Sequence, residues 1–257
     1  MVFDTNNWNN KISVLIFVKY LYFKNINMCF SFRSSLIAYI LGMVSGVYAL
    51  LNKQALLGCL IITYSQMQLS EALIWYGIDT GNKSLNSLGT SYGKYWLASH
   101  NIGIGIGIIL SILFVSKRKL KKTDFLPLIV GIFLLIFVTL YYYLPDKENS
   151  TETYPLVSCP NRSCQELGNR LQWPYKTRWY FFSLFLSITM IMIWIKPVKV
   201  KVTILFIFLS TMLGSYIYLR NVTYTSVWCF IAAILAPLLV LLTSFLIKNE
   251  KDDDILI

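Results

Sequence analysis

Glu71 is an acidic residue inside a long apolar run, Ala55 to Gly77, ALLGCLIITYSQMQLSEALIWYG. A carboxylate facing hydrocarbon costs roughly 2.5 kcal/mol or more, so Glu71 must face protein or water. Tyr64, Gln68, Glu71 and Trp75 recur at i, i+4, i+7 and i+11, which places them on one side of a helix. His100 is the single histidine and is followed by Asn101. Glu71 lies about six residues from Gly77, and His100 about five from Tyr95; at about 1.5 Å per residue both reach a similar depth. The spacing predicts a Glu71–His100 contact, as a hydrogen bond or a shared proton, with Tyr64, Gln68 and Asn101 completing a polar cluster.

That cluster supports few reactions. One histidine cannot build a multi-histidine metal site, so neither a metal nor a cofactor is expected. Ser70 and Ser99 lack a Gly-x-Ser-x-Gly setting and an orienting partner. The last apolar stretch has no lysine for a retinal Schiff base. Gln, Glu and His inside apolar helices also act as interhelical glue. Glue and pocket lining are preferred here to acid–base catalysis, which needs a fuller partner set.

The residues that must hold this cluster are strongly apolar. Of 257 residues, 56% are hydrophobic and 16% aromatic, with a mean hydropathy of +0.58. That excess implies a lipid solvent. The net charge of +11 sits in short runs between apolar segments, as membrane topology is written, and no nucleic-acid signature accompanies it. Apolar residues run continuously and do not alternate, which excludes a barrel. The expectation is an all-α polytopic membrane bundle of seven transmembrane helices near 34–52, 55–77, 95–116, 125–144, 179–196, 201–219 and 226–247. Gly42 and Gly46, and Gly103 and Gly107, form GxxxG pairs that let helix backbones approach closely.

Lys53, the Lys117–Lys122 run, Lys196, Lys199, Lys201 and Lys248 lie in connections on one side, which the positive-inside rule makes cytoplasmic. The amino terminus is then lumenal or extracellular and the carboxyl terminus cytoplasmic. Four N-x-S/T sequons, at Asn82, Asn149, Asn161 and Asn221, all fall on the lumenal side, with Asn161 the preferred glycosylation site. Lys11, Lys19, Lys24 and Arg33 run against the rule, unless the first segment stays at the interface or an eighth helix reverses the amino terminus. Residues 1–33 therefore read as an extension lying at the interface, or as sequence upstream of a start at Met28. The 145–178 loop carries Cys159 and Cys164, which in a lumenal compartment read as a disulfide. The acidic tail 248–257 includes Asp252, Leu256 and Ile257, a dileucine-like pattern for a sorting adaptor.

Met28-Cys29-Phe30-Ser31, Gly42, and then Gln68, Glu71 and Trp75 resemble an uncharacterised multi-pass family found in large DNA viruses, algae and some bacteria. Its members open Met-Cys-aromatic-Ser and carry a Gln-x-x-Glu-x-x-x-Trp-like second span. The resemblance covers about the first three spans and implies a helical membrane protein, without supplying a function.

The functional expectation is a non-enzymatic protein of an endomembrane or plasma membrane, or of a virion or host membrane. It would bind a small ligand or lipid, or move a solute, through the polar cluster of the first three helices. The alternatives are a lipid-acting enzyme using Glu71 and His100, and an interaction glycoprotein working through the 145–178 loop. Its partners would be the bilayer and a small ligand, with no nucleic acid.

Overall fold

The computed structural model describes residues 31–116, 119–143, 154–155, 171–172, 186–190, 193–219 and 224–248. These residues are helical apart from their connections and one short strand pair. Among the described residues, six α-helices of 18 residues or more follow in order: α1 (Phe32–Leu51), α2 (Ala55–Asp79), α3 (Lys83–Leu110), α4 (Leu126–Tyr143), α5 (Val198–Leu219) and α6 (Tyr224–Ile247).

The ends follow local chemistry. Ser31 caps α1, its hydroxyl accepting from the Ser34 N–H at 3.3 Å. Asn52, Lys53 and Gln54 reverse the chain into α2, with Lys53 left-handed at φ 60°. Gly81 takes φ 67° in the next turn, where a side chain would be strained. Asn82 then caps α3 by accepting from the Leu85 N–H at 3.1 Å.

The helix that carries the expected third span, 95–116, begins earlier, at Lys83, and its apolar part is Ser99–Ser116. Its first turns, KSLNSLGTSYGK, are too polar to register as a span. They remain helical because Asn82 caps them and Asn86 and Thr90 are buried against the bundle. After Leu110 the helix widens into a π-helical turn, Ser111–Ser116, and a 3-10 turn, Lys122–Phe125, leads into α4.

Helix α2 is the centre of the fold and packs against α1, α3 and α6. Helix α4 lies on α3, and α6 also packs on α1 and α5. Close approach is built from glycine. A methyl group at Gly46 would meet the Gly58 carbonyl at 3.1 Å; Gly42 lies on Ser65, Gly103 on Thr63 and Gly107 on Leu56 and Cys59. Small residues outside the GxxxG pairs do the same, Gly89 on Ser70 and Gly131 on Asn101.

Polar groups tie the same helices. Gln54, fully buried, donates to the Val240 carbonyl and to Ser244, and Thr243 donates to its Oε1 at 2.7 Å. The α1–α2 turn is thereby fastened to the carboxyl end of α6. Inside α6, Pro237 has no N–H to offer the carbonyl of Ala233 one turn back.

Burial runs opposite to that of a water-soluble domain. The interior holds Gln54, Gln66, Gln68, Glu71, Asn86, His100 and Asn101, while Val44, Phe133, Phe206, Leu238 and Phe245 point outward. Among the described residues, two helices are long and apolar enough to cross a membrane, Phe32–Leu51 and Ser99–Ser116. The stretch Ile231–Ile247 is apolar but shorter. Helix α2 is long enough but too polar for that test, a composition its burial among neighbours allows.

Residues 145–178 were expected to be loop. Within them, Tyr154–Pro155 and Leu171–Gln172 pair as short antiparallel strands, with Tyr154 opposite Gln172 and Pro155 opposite Leu171. Leu171 is buried against Ile74 and Trp75, at the far end of α2 from Gln54.

Candidate ligand site

The antiparallel register of α2 and α3 decides which side chains meet. A side-chain carbon at Gly77 would touch Asn86, one at Gly89 Ile74, one at Gly103 Thr63 and one at Gly107 Leu56. This register sets Tyr64 level with His100. The imidazole lies flat on the Tyr64 ring, 4.1 Å between centroids and 14° between planes. Beyond Tyr64 the Phe208 ring of α5 stands edge-on, 6.4 Å away at 88°.

No hydrogen bond joins His100 Nε2 to Glu71, where the sequence predicts a contact. His100 stacks on Tyr64, and its Nε2 has no hydrogen-bond partner. Glu71 lies seven residues further along α2 than Tyr64, about 10 Å at a 1.5 Å rise per residue. Helix α3 begins at Lys83, so Tyr95 does not mark the end of that helix.

The other cluster members divide by helix face. Asn101, one residue round α3 from His100, is fully buried toward α4 and the chain after it. Its Oδ1 accepts from Ser187 at 3.0 Å, and Gly131 packs on its backbone. Gln68, Glu71 and Trp75 all lie inside the bundle, with Glu71 1% exposed. Tyr64 is half-buried.

Three glutamines of this central region can be compared. Gln54 is saturated by α6, as described above. Gln66 is also satisfied: Tyr92 donates to its Oε1 at 2.8 Å, while its Nε2 donates to Met43 Sδ and to the Ile62 carbonyl, each at 3.2 Å. Gln68 is fully buried, yet neither its Nε2 nor its Oε1 has a hydrogen-bond partner among the described residues. Leaving a buried polar group unmatched costs about 1–3 kcal/mol, so a bare amide on α2 and a bare imidazole nitrogen on α3 are both costly. Ser35 Oγ on α1 is also buried without a partner.

A cavity of about 70 Å³ opens beside this region, walled by α2, α5 and α6. Leu60, Ile61, Phe208, Ala233, Ala236 and Leu239 line it, and Tyr64 forms part of its wall. Nothing in the sequence pattern pointed to this cavity, because it joins Leu60–Ser65 of α2 to residues from Ile204 onward in α5 and α6, far away in the chain. Tyr92 and Ser187 were missed for the same reason: each partner lies on another element.

Asn82 is exposed at the start of α3, with its side-chain oxygen engaged in the cap. The expected glycosylation sites Asn149, Asn161 and Asn221 lie outside the described residues, as do the cysteines of the expected Cys159–Cys164 disulfide and the expected sorting residues Asp252, Leu256 and Ile257. Met28, Cys29 and Phe30 lie outside them too. Comparison with protein-family models, with characterised proteins and with solved structures finds no match to this chain.

Proposed function

We propose that this chain is a polytopic membrane protein of seven helical spans that binds a small ligand or lipid at Gln68 and His100. The outward-facing Ile, Leu, Val and Phe side chains of α1, α4, α5 and α6 support the membrane reading, as does the polar interior they enclose. The bond from Gln54 to the end of α6 supports placing the Lys53 turn and Lys248 on one side, as an amino-terminus-out topology requires. The packing of Leu171 on Trp75 supports placing the 145–178 loop on the other.

The observation that carries the binding reading is Gln68. A glutamine kept only as glue should resemble Gln54 and Gln66, with its amide spent on neighbouring helices. The amide of Gln68 and the Nε2 of His100 instead present donor and acceptor capacity to the bundle interior.

The experiment is to purify the full chain in detergent and identify co-purifying small molecules by mass spectrometry. A compound should accompany the native chain and be lost from Gln68→Leu and His100→Phe, while Gln54→Leu that still folds retains it. The same small-molecule content in all variants would defeat the binding reading.

A further inference from the structure

We infer that the ligand reaches this site from within the bilayer and is a single-chain amphiphile with an uncharged head. Its tail would lie in the groove among α2, α5 and α6, and its head would pass Tyr64 to reach Gln68 and His100. The inference rests on the binding reading above and adds the ligand's class and its route.

The groove is apolar in fact as well as in composition. Its hydroxyls from Ser65 and Thr211 are already spent, donating to the Ile61 carbonyl at 2.7 Å and the Ile207 carbonyl at 2.8 Å. Ala233 and Ala236 keep the space open, since larger side chains there would fill it. Among the described residues no charged side chain lines the groove, so a phosphate or carboxylate head meets no cation among them on the way in.

Tyr64 joins the two environments. It is the groove-lining residue whose ring also stacks on His100, with Phe208 on its other flank. One turn further along the same face stands Gln68, and together Gln68 and His100 offer three unmatched polar atoms. The amide offers a donor and an acceptor at once, which suits a hydroxyl or amide head carrying both functions. A tail in the groove and such a head at Gln68 would satisfy the apolar wall and the bare polar atoms in one molecule. A free hydrocarbon would satisfy only the first, and a water-soluble solute only the second.

The test uses the full chain in lipid nanodiscs with two photoreactive probes that share one diazirine-bearing acyl chain. One probe is a monoacylglycerol and the other is the corresponding fatty acid. Cross-linked peptides are mapped by mass spectrometry. The monoacylglycerol should label groove peptides of α5 and α6 at about tenfold lower concentration than the fatty acid, a factor matching about 1.4 kcal/mol of head discrimination. Ala233→Phe, and independently Ala236→Phe, should abolish that labelling while thermal unfolding remains cooperative. Gln68→Leu should weaken monoacylglycerol labelling to the level of the fatty acid, in line with its loss of a co-purified compound.

Equal labelling by both probes, or labelling unchanged by both groove variants, overturns the inference. If a co-purified compound is still lost from Gln68→Leu while the groove variants have no effect, the polar site stands and entry from the bilayer is wrong. If Gln68→Leu changes neither measurement, the polar site itself is wrong.

Discussion

Tyr64 and His100 lie face to face, 4.1 Å between ring centroids, with the carboxylate of Glu71 about two turns away along α2. The stack ties the central helix to α3 at the level where the groove meets the polar interior. It also leaves His100 Nε2 without a hydrogen-bond partner, which a contact with Glu71 would have supplied.

Replacing either ring should loosen this contact. Tyr64→Leu is expected to destabilise the protein by about 1 kcal/mol through loss of the aromatic pair. Tyr64→Phe, which keeps the ring, should cost less. Thermal unfolding of the purified variants in detergent checks the order, and an equal loss in both would show that the stack contributes nothing.

Gln66→Leu and Gln68→Leu should move stability in opposite directions. Gln66→Leu strips the Tyr92 hydroxyl of its acceptor, a loss of about 1–3 kcal/mol. Gln68→Leu removes a buried amide that has no hydrogen-bond partner, so the ligand-free protein should be unchanged or more stable. The same unfolding measurement, made on both variants side by side, decides it.

Thr243→Val should weaken the fastening of α6. The change leaves Gln54 Oε1 without its donor from that helix, at about 1–3 kcal/mol. Amide hydrogen exchange should rise first in the last turns of α6 and in the α1–α2 turn. Protection unchanged in both segments would count against the clamp.

Glycine positions should divide by their surroundings. Gly46→Val should cost about 1–3 kcal/mol or prevent assembly, because its side chain would press on Ile62 and the Gly58 carbonyl. Gly214→Ala should be tolerated, since a methyl there meets nothing within 4 Å. Expression level and the elution profile of each variant distinguish the two outcomes.

Opposite ends of α2 should lie on opposite sides of the membrane. In a background with the native cysteines replaced, a membrane-impermeant maleimide should label Lys83→Cys in sealed cells. Asn52→Cys should react only after permeabilisation. The reverse pattern would invert the topology.

Some of this was legible in the residues alone. Helical periodicity is local, so the spacing of Tyr64, Gln68, Glu71 and Trp75 sets them on one side of α2 whatever surrounds it. The apolar composition likewise calls for helices that meet lipid, and the Asn52–Gln54 reversal falls between two apolar runs in the sequence. The start of α3 was hidden, because hydropathy reads a polar helical turn as loop and the cap at Asn82 lies outside any apolar run.

Which polar side chains meet was decided only by the tertiary structure. Gln66 and Gln68 are the same residue two positions apart, and nothing local separates them. They differ because Met43 of α1 and Tyr92 of α3 reach Gln66, while no hydrogen-bonding group reaches the Gln68 amide. Helix register, helix length and the crossing of α5 and α6 over α2 set those distances. They are properties of the packed bundle, because a side chain's partners depend on where other helices place their own.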